Sequence, residues 1–394
     1  MEVIVTGGGV AGAASAIALR RIGAEVTVYE AYSDPAGEVG SFLSLASNGL
    51  RGLEALGCLE EVQRLGFAVP TQRMIASSGR VLGEMARGRM PDAPLLSVAL
   101  MRGRLVETLR EQAIHAGARI VTGRRLVGAA PAGDGVGAEF SDGSGASADL
   151  LVGADGLWSA TRSILNPETA RPGYAGMYSV SGVSEGVPGM AGRPPVFNMV
   201  YARNGAFIYI PAPDGTVWWS AQIIAPRQPD TSGVGDAEWL AHLAELYRFE
   251  RTPLAIIEAT AQLHRPTLMH VLAEVPTWHD DRVVLVGDAA HPVGAGQGAS
   301  MAIEDAVVLA QALARNASTA AALAEFDRLR RARIGRMAKI ASANREAKKA
   351  GPLGRRLSDL FMPVAFRLFY TRATSWLYTH DLGTLPEVTR GAAR

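Results

Sequence analysis

At 394 residues the chain is too long for one small core, so two packed units are expected. Its 39 Lys and Arg against 38 Asp and Glu leave a net charge near +1, which gives no electrostatic reason to expect a nucleic-acid partner. A single cysteine, Cys58, rules out an internal disulfide or a cysteine-based metal cluster.

Val3 to Val5 reads as a short buried strand, Ala11 to Arg21 as a helix and Val26 to Tyr29 as a second strand. This is the β-α-β opening of a nucleotide-binding sheet. The apolar start has no basic lead and is broken by glycines, and no run is long enough to span a membrane. The expectation is therefore a cytosolic chain without a membrane partner. Asn48 to Leu56 predicts a helix, with Leu50, Leu53 and Leu56 on its apolar face. Residues 70 to 95, with several Pro and Gly, read as an excursion from the sheet. Leu105 to Ala116 predicts a further helix and Arg119 to Val121 a strand. Val136 to Phe140 and Ala148 to Val152 flank the turn Ser141–Gly145 and predict a hairpin.

From about Arg171 to His264 the chain becomes aromatic and β-rich. Val196 to Tyr201, Phe207 to Ile210 and Val217 to Ile224, with a turn at Pro213–Gly215, predict a separate antiparallel sheet. Val283 to Val286 returns to a buried strand, Ala299 to Leu313 is helical, and helices continue through Arg345. In the tail, Leu357, Leu360, Phe361, Val364 and Leu368 keep helical spacing, and Pro363 starts or kinks that helix. The basic pairs Lys348–Lys349 and Arg355–Arg356 read as the solvated face of a packed helix rather than a membrane contact.

Gly7-Gly8-Gly9-Val10-Ala11-Gly12 fits G-x-G-x-x-G between a strand and a helix. Gly7 permits the tight turn, Gly9 lets a pyrophosphate approach the backbone, and Gly12 lets helix and strand pack closely. The first amides, at Val10 and Ala11, then meet the anion. Glu30 stands 18 residues after Gly12, where its carboxylate accepts from ribose hydroxyls and repels a 2′-phosphate. This motif alone does not separate FAD from NAD.

The second constellation is Arg282 to Pro292, a buried strand entering the turn Gly287-Asp288, followed by Gly294, Gly296, Gln297 and Gly298 and a helix. Asp288 suits sugar hydroxyls, and the small residues leave room for a flat ring. Together with Asp155-Gly156-Leu157-Trp158-Ser159-Ala160-Thr161-Arg162, these segments resemble the class A flavoprotein monooxygenases, the family of para-hydroxybenzoate, salicylate and tetracycline hydroxylases. The resemblance covers roughly residues 1 to 340.

It implies an α/β chain with a Rossmann-like FAD-binding domain (1–70, 96–170 and 265–345). An inserted antiparallel-sheet substrate domain (71–95 and 171–264) and a C-terminal helical segment (346–394) complete it. By the same resemblance Asp288 holds the ribityl chain, Gly298 and Ala299 lie near the pyrimidine edge, and Arg102 contacts FAD. The Asp155 segment is associated with FAD and the nicotinamide coenzyme; its plain reading is a strand-ending turn with a helix cap.

Phe207, Tyr209, Trp218 and Gln222 of the middle sheet are the candidate substrate-binding residues. Phe207 and Tyr209 share one face, and Trp218 opposes Trp219. His291 sits beside the flavin turn, but the family residue it matches is structural. The seven histidines show no metal spacing, so no metal is expected. The implied activity is a single-component monooxygenase, a monomer or weak homo-oligomer. In it NAD(P)H reduces FAD, O2 forms a C4a-hydroperoxide, and a largely apolar, ring-containing small molecule takes up oxygen. No second glycine fingerprint is present, so NAD(P)H is a transient co-substrate. Alternatives are a reductase, a halogenase (disfavoured by the missing Trp-x-Trp-x-Ile-Pro), or a non-enzymatic flavin-bearing binding protein.

Overall fold

Glu2–Thr6 is rich in β-branched residues, and Val3, Ile4 and Val5 are at most 2% exposed, as a central parallel strand requires. It pairs in parallel with Glu25–Tyr29 on one side and Leu150–Gly153 on the other. Val283–Leu285 and Arg119–Val121 complete a five-stranded parallel sheet. This arrangement is described by a computed structural model covering residues 1–33, 41–169, 171–272, 274–292, 296–348 and 369–386. The helices Val10–Arg21 and Ser47–Ala55 each pack against Gly298–Arg315 beside this sheet. The tail positions Leu357 to Leu368 lie outside the described residues, while residues 369–378 are helical. Among the described residues no helix is long and apolar enough to cross a membrane.

One expected strand divides. Gly145–Ala148 closes the hairpin with Gly135–Phe140, whereas Leu150–Gly153 joins the parallel sheet. The crossing is at Asp149, whose N–H donates to Glu2 O at 3.0 Å while its Oδ2 accepts from Glu2 N–H at 2.7 Å. A continuous apolar run cannot reveal that break, because both halves satisfy the same strand pattern.

The inserted sheet has seven strands. Their order is Thr260–Val271, Gly173–Ser184, Val217–Ile224, Gly205–Pro211, Val196–Ala202, Thr71–Ala76 and Val81–Ala86. The excursion at 70 to 95 thus supplies the last two strands at one end of the sheet, of which Val81–Ala86 is the edge. The sheet departs from the expected antiparallel pattern at one junction, where Thr71–Ala76 pairs in parallel with Val196–Ala202. Its strand Thr260–Val271 also runs past the boundary expected at residue 264.

Alternation gives this sheet two different faces. Phe207, Tyr209 and Trp219 lie beneath the helices Asp236–Leu246 and Arg251–Glu258, in a core with Trp239, Tyr247 and Ile256. Phe197, Ile208, Ile210 and Trp218 face the other way, onto Phe42, Phe67 and Ala99 of a small three-stranded sheet.

The helix Gly298–Arg315 carries two fully buried acids, Glu304 and Asp305, among apolar neighbours. Arg330, itself 1% exposed, reaches Glu304 Oε2 and Asp305 Oδ1 at 2.6 Å each. Arg333 adds bonds of 2.6 and 2.8 Å to the two Glu304 oxygens. Burial pushes the Glu304 carboxyl up, but the Arg330 and Arg333 guanidiniums outweigh it and hold it down at about 2, below the ordinary 4.5. The Glu304 contribution to stability is therefore complete above pH 4.5 and is lost as pH falls toward 2. Arg330→Met leaves two buried acids short of a partner and is expected to cost about 3–5 kcal/mol in urea unfolding at neutral pH. A loss within the error of the wild-type midpoint would show that the network contributes nothing.

Candidate functional site

Gly7 and Gly12 of the N-terminal loop have steric reasons, and Gly9 stands open. Gly7 sits at φ +93°, and a Cβ there would lie 2.5 Å from Ala154 O. A Cβ on Gly12 would lie 1.8 Å from Gly7 O, whereas one on Gly9 would meet nothing within 4 Å. The loop is closed below and open where an anion would approach. The helix Val10–Arg21 starts at Gly9 with no side-chain cap and no acid in its first turn. Its first amides, at Val10, Ala11 and Gly12, and its dipole thus point at that open space.

Glu30 reaches this loop, but also braces it. Its Oε2 accepts from Gly8 N–H at 2.7 Å and its Oε1 from Tyr32 N–H at 2.9 Å. Arg110 grips the same residue through its carbonyl, donating from Nε to Gly8 O at 2.6 Å and lying 3.6 Å from Glu30 Oε2. Each carboxylate oxygen keeps a second lone pair, so capacity for a ribose hydroxyl remains. Arg110 has no sequence signal, since its meeting with Gly8 depends on how one helix packs across the sheet.

The second half of the site is the turn Gly287–Ala289, where Asp288 is exposed between buried neighbours. Asp305 fastens the turn from beneath: its Oδ2 accepts from Gly287 N–H at 2.8 Å and lies 2.6 Å from His291 Nε2. His291 is thereby held as a strut. The Asp288 side chain opens to solvent yet has protein mass around it, and this partial burial pushes its carboxyl up. Asp305 adds to the rise, while His291 and Arg102 pull the other way. Arg102, exposed at the first position of the helix Arg102–His115, thus shares the Asp288 neighbourhood.

A Cβ on Gly298 would lie 3.5 Å from Asp288 Oδ1, which sets the turn against the start of the helix Gly298–Arg315. That start, with Gly298 and Ala299, also has no side-chain cap and no acid in its first turn. Asn48 locks the helix Ser47–Ala55 onto it through Gln297 Oε1 at 3.4 Å and Glu304 Oε1 at 2.8 Å. Two helix starts without a side-chain cap, an open glycine position and an exposed acid fit a flavin dinucleotide.

Asp155 is spent on structure. It accepts from Ser159 Oγ and, at 3.0 Å each, from Thr161 N–H and Oγ1, capping the helix Ala160–Leu165. Its backbone also floors the loop, since its Cα lies 2.8 Å from where a Gly7 Cβ would stand. Arg162, 4% exposed, donates to Leu157 O at 2.6 Å and Ala289 O at 3.0 Å, tying this segment to the Asp288 turn.

The four candidate substrate residues separate. Phe207 is fully buried, stacked on Trp219 at 5.5 Å and edge-on to Tyr247 at 5.2 Å. Tyr209 lies in the same helix-covered core, so neither lines a cavity on the other face. The error is one of face: alternation pairs the two residues but does not say which side is covered. Trp218 and Gln222 occupy the opposite face, where Val217–Ile224 alternates buried and partly open residues. Trp218 lies 4.9 Å from the Phe67 ring and 6.0 Å from Phe42.

One charged residue of this face carries no sequence signal. Arg87 donates from Nη1 to Gln72 Oε1 at 2.6 Å and lies 3.8 Å above the Phe197 ring, while its Nε is buried without an acceptor. A charge-assisted bond returns about 1.5–3 kcal/mol and a desolvated cation–π contact about 2, against a desolvation cost of several.

The parallel sheet, its glycine loop and the Asp288 turn define a flavin-dinucleotide enzyme with an inserted sheet over the cofactor half. Residues 1–341 match the FAD binding domain family, and the chain belongs to the class A FAD-dependent aromatic monooxygenases. It is 32% identical to a 3-amino-4-hydroxybenzoate 2-monooxygenase of Streptomyces platensis, over 96% of this chain and 95% of that one. It is 31% identical to the aurachin C monooxygenase/isomerase of Stigmatella aurantiaca, over 84% and 85% respectively. In fold it is similar to Klebsiella pneumoniae HpxO complexed with FAD and uric acid. That likeness has a TM-score of 0.81 at 23% identity and covers 97% of this chain and 98% of that one. The protein is an FAD-dependent oxidoreductase, and FAD is its cofactor.

Asp288→Ala is expected to weaken FAD retention, read as flavin lost on gel filtration, with the unfolding midpoint of the apoprotein unchanged. Phe207→Ala is expected to do the reverse: about 3–5 kcal/mol lost in unfolding with FAD affinity kept. Equal FAD loss in both would show that stability, not contact, governs retention.

Proposed function

We propose that the protein hydroxylates or epoxidises a ring-containing small molecule, using NAD(P)H and O2. The observation that carries this is the alternating burial of Val217–Ile224. One face packs under helices, while Trp218, Ser220 and Gln222 stay partly open on the face that meets the FAD half. Apolar walls with a few polar groups are what a small-molecule cavity needs. The named relatives point the same way, as hydroxylases of hydroxybenzoates and urate.

FAD, when bound, supplies the redox chemistry: electrons from NAD(P)H activate O2, one oxygen atom enters the substrate and the other leaves as water. The chain's residues bind, orient and exclude water. The glycine loop and the Val10 helix start hold the pyrophosphate, Glu30 the ribose and Asp288 the ribityl hydroxyls. The Gly298 helix start favours negative charge on the ring edge by about 0.3–1 kcal/mol. Trp218 and its neighbours keep the reacting ring in a dry space. No protein nucleophile is needed.

The test is a screen of ring compounds for faster NAD(P)H oxidation by the FAD-loaded protein, with 18O2 as oxidant. The expected product carries one labelled oxygen. Trp218→Ala is expected to release more peroxide per coenzyme oxidised, with FAD binding intact. Coenzyme oxidation that never labels a product, across the screen, would leave a reductase or oxidase instead.

A further inference from the structure

Arg87 is a cation on the Trp218 side of the inserted sheet that meets no anion among the described residues. It follows the strand Val81–Ala86, and its guanidinium lies across the Trp218 face of the inserted sheet, bonded to Gln72 and stacked on Phe197. Gln72 and Phe197 are register partners on adjacent strands, so the head group is fixed at two points. The next residue, Gly88, accepts through its carbonyl from Ser47 N–H at 2.8 Å. Ser47 starts the helix whose Asn48 is bonded to Gln297, beside the open start of the helix Gly298–Arg315. On a further side stand Tyr370 and Tyr378, near enough to act on the Arg87 charge. Arg87 thus stands between the substrate sheet and the helix leading to the flavin edge.

Several guanidiniums meet acids, as Arg330 and Arg333 meet Glu304, Arg73 meets Glu84 and Arg110 meets Glu30, while Arg89 and Arg162 donate to backbone carbonyls. Among the described residues no carboxylate acts on Arg87; the groups that do are two phenols, which burial keeps in their neutral form. Its Nε has no acceptor among the described residues. A guanidinium edge left in this state suits a planar acceptor with two oxygens.

We propose that Arg87 binds a carboxylate carried on the ring of the substrate, with Phe197 and Trp218 contacting the ring. Calling that ligand the substrate rests on the monooxygenase reading; the anion site itself rests on the Arg87 geometry. A purely structural guanidinium would instead be content with Gln72 and Phe197 alone.

The experiment uses the FAD-loaded protein and four probes, benzoate and 2-naphthoate with their neutral amides, followed by perturbation of the flavin absorbance. The acids are expected to bind at least about tenfold more tightly than the amides at neutral pH. Arg87→Met should bring acids down to the level of amides. Gln72→Glu sets an internal carboxylate on the guanidinium, and should abolish the acid preference while the melting temperature holds or rises. It keeps the proposal testable where Arg87→Met fails to fold. Acids binding no better than amides, neither acid binding, or an acid preference that survives Gln72→Glu would overturn the site. The readout needs no turnover. A protein that binds the acids but oxygenates nothing defeats the monooxygenase reading alone, and oxygen transfer without acid preference defeats the Arg87 site alone.

Discussion

The structure depends on one buried carboxylate, Asp305. One of its oxygens holds the Asp288 turn, through Gly287 N–H and His291, and the other takes the Arg330 guanidinium. Burial alone would push this acid toward its neutral form, but His291 and Arg330 more than offset that, and its pKa is lowered. A buried charge is stable only when its lone pairs are met, so the arrangement leaves little freedom to the turn above it. Asp288 is thereby presented to solvent by a frame that is itself dry.

The same economy recurs in the other cofactor segments, where the residues that mark the family build more than they touch. Asp155 caps a helix, and Arg162 ties that helix to the Asp288 turn. Glu30 and Arg110 brace Gly8 through its N–H and its carbonyl. Three segments distant in sequence are thus joined by hydrogen bonds before any ligand is considered. Preorganisation of this kind matters for a bound cofactor, since a displacement of about an ångström at a reacting centre costs orders of magnitude in rate.

Strand alternation gives the inserted sheet one face closed under helices and one turned toward the FAD half. Odd-numbered positions of Gly205–Pro211 and Val217–Ile224 bury aromatics under two helices, and even-numbered positions turn toward the FAD half. The aromatic pair Trp218-Trp219 shows the division within two residues: Trp219 is fully buried, while Trp218 meets Phe42 and Phe67. Arg87 reaches the same face from an edge strand and brings charge to an otherwise apolar wall.

Much of this was legible in the chain alone. Glycine spacing, buried β-branched runs and helical periodicity are local properties, and they mark the strand-loop-helix at Gly7, the Asp288 turn and the inserted sheet wherever the rest of the chain lies. Spatial partners are not local. Which face of Phe207 is covered, where the run through Asp149 changes sheets, and that Arg110 meets Gly8 all depend on packing between segments far apart in sequence. Charge balance follows the same rule. Nothing in the sequence around Arg330 or Arg87 marks its partners, and only the tertiary structure gives the first two acids and leaves the second, among the described residues, without one.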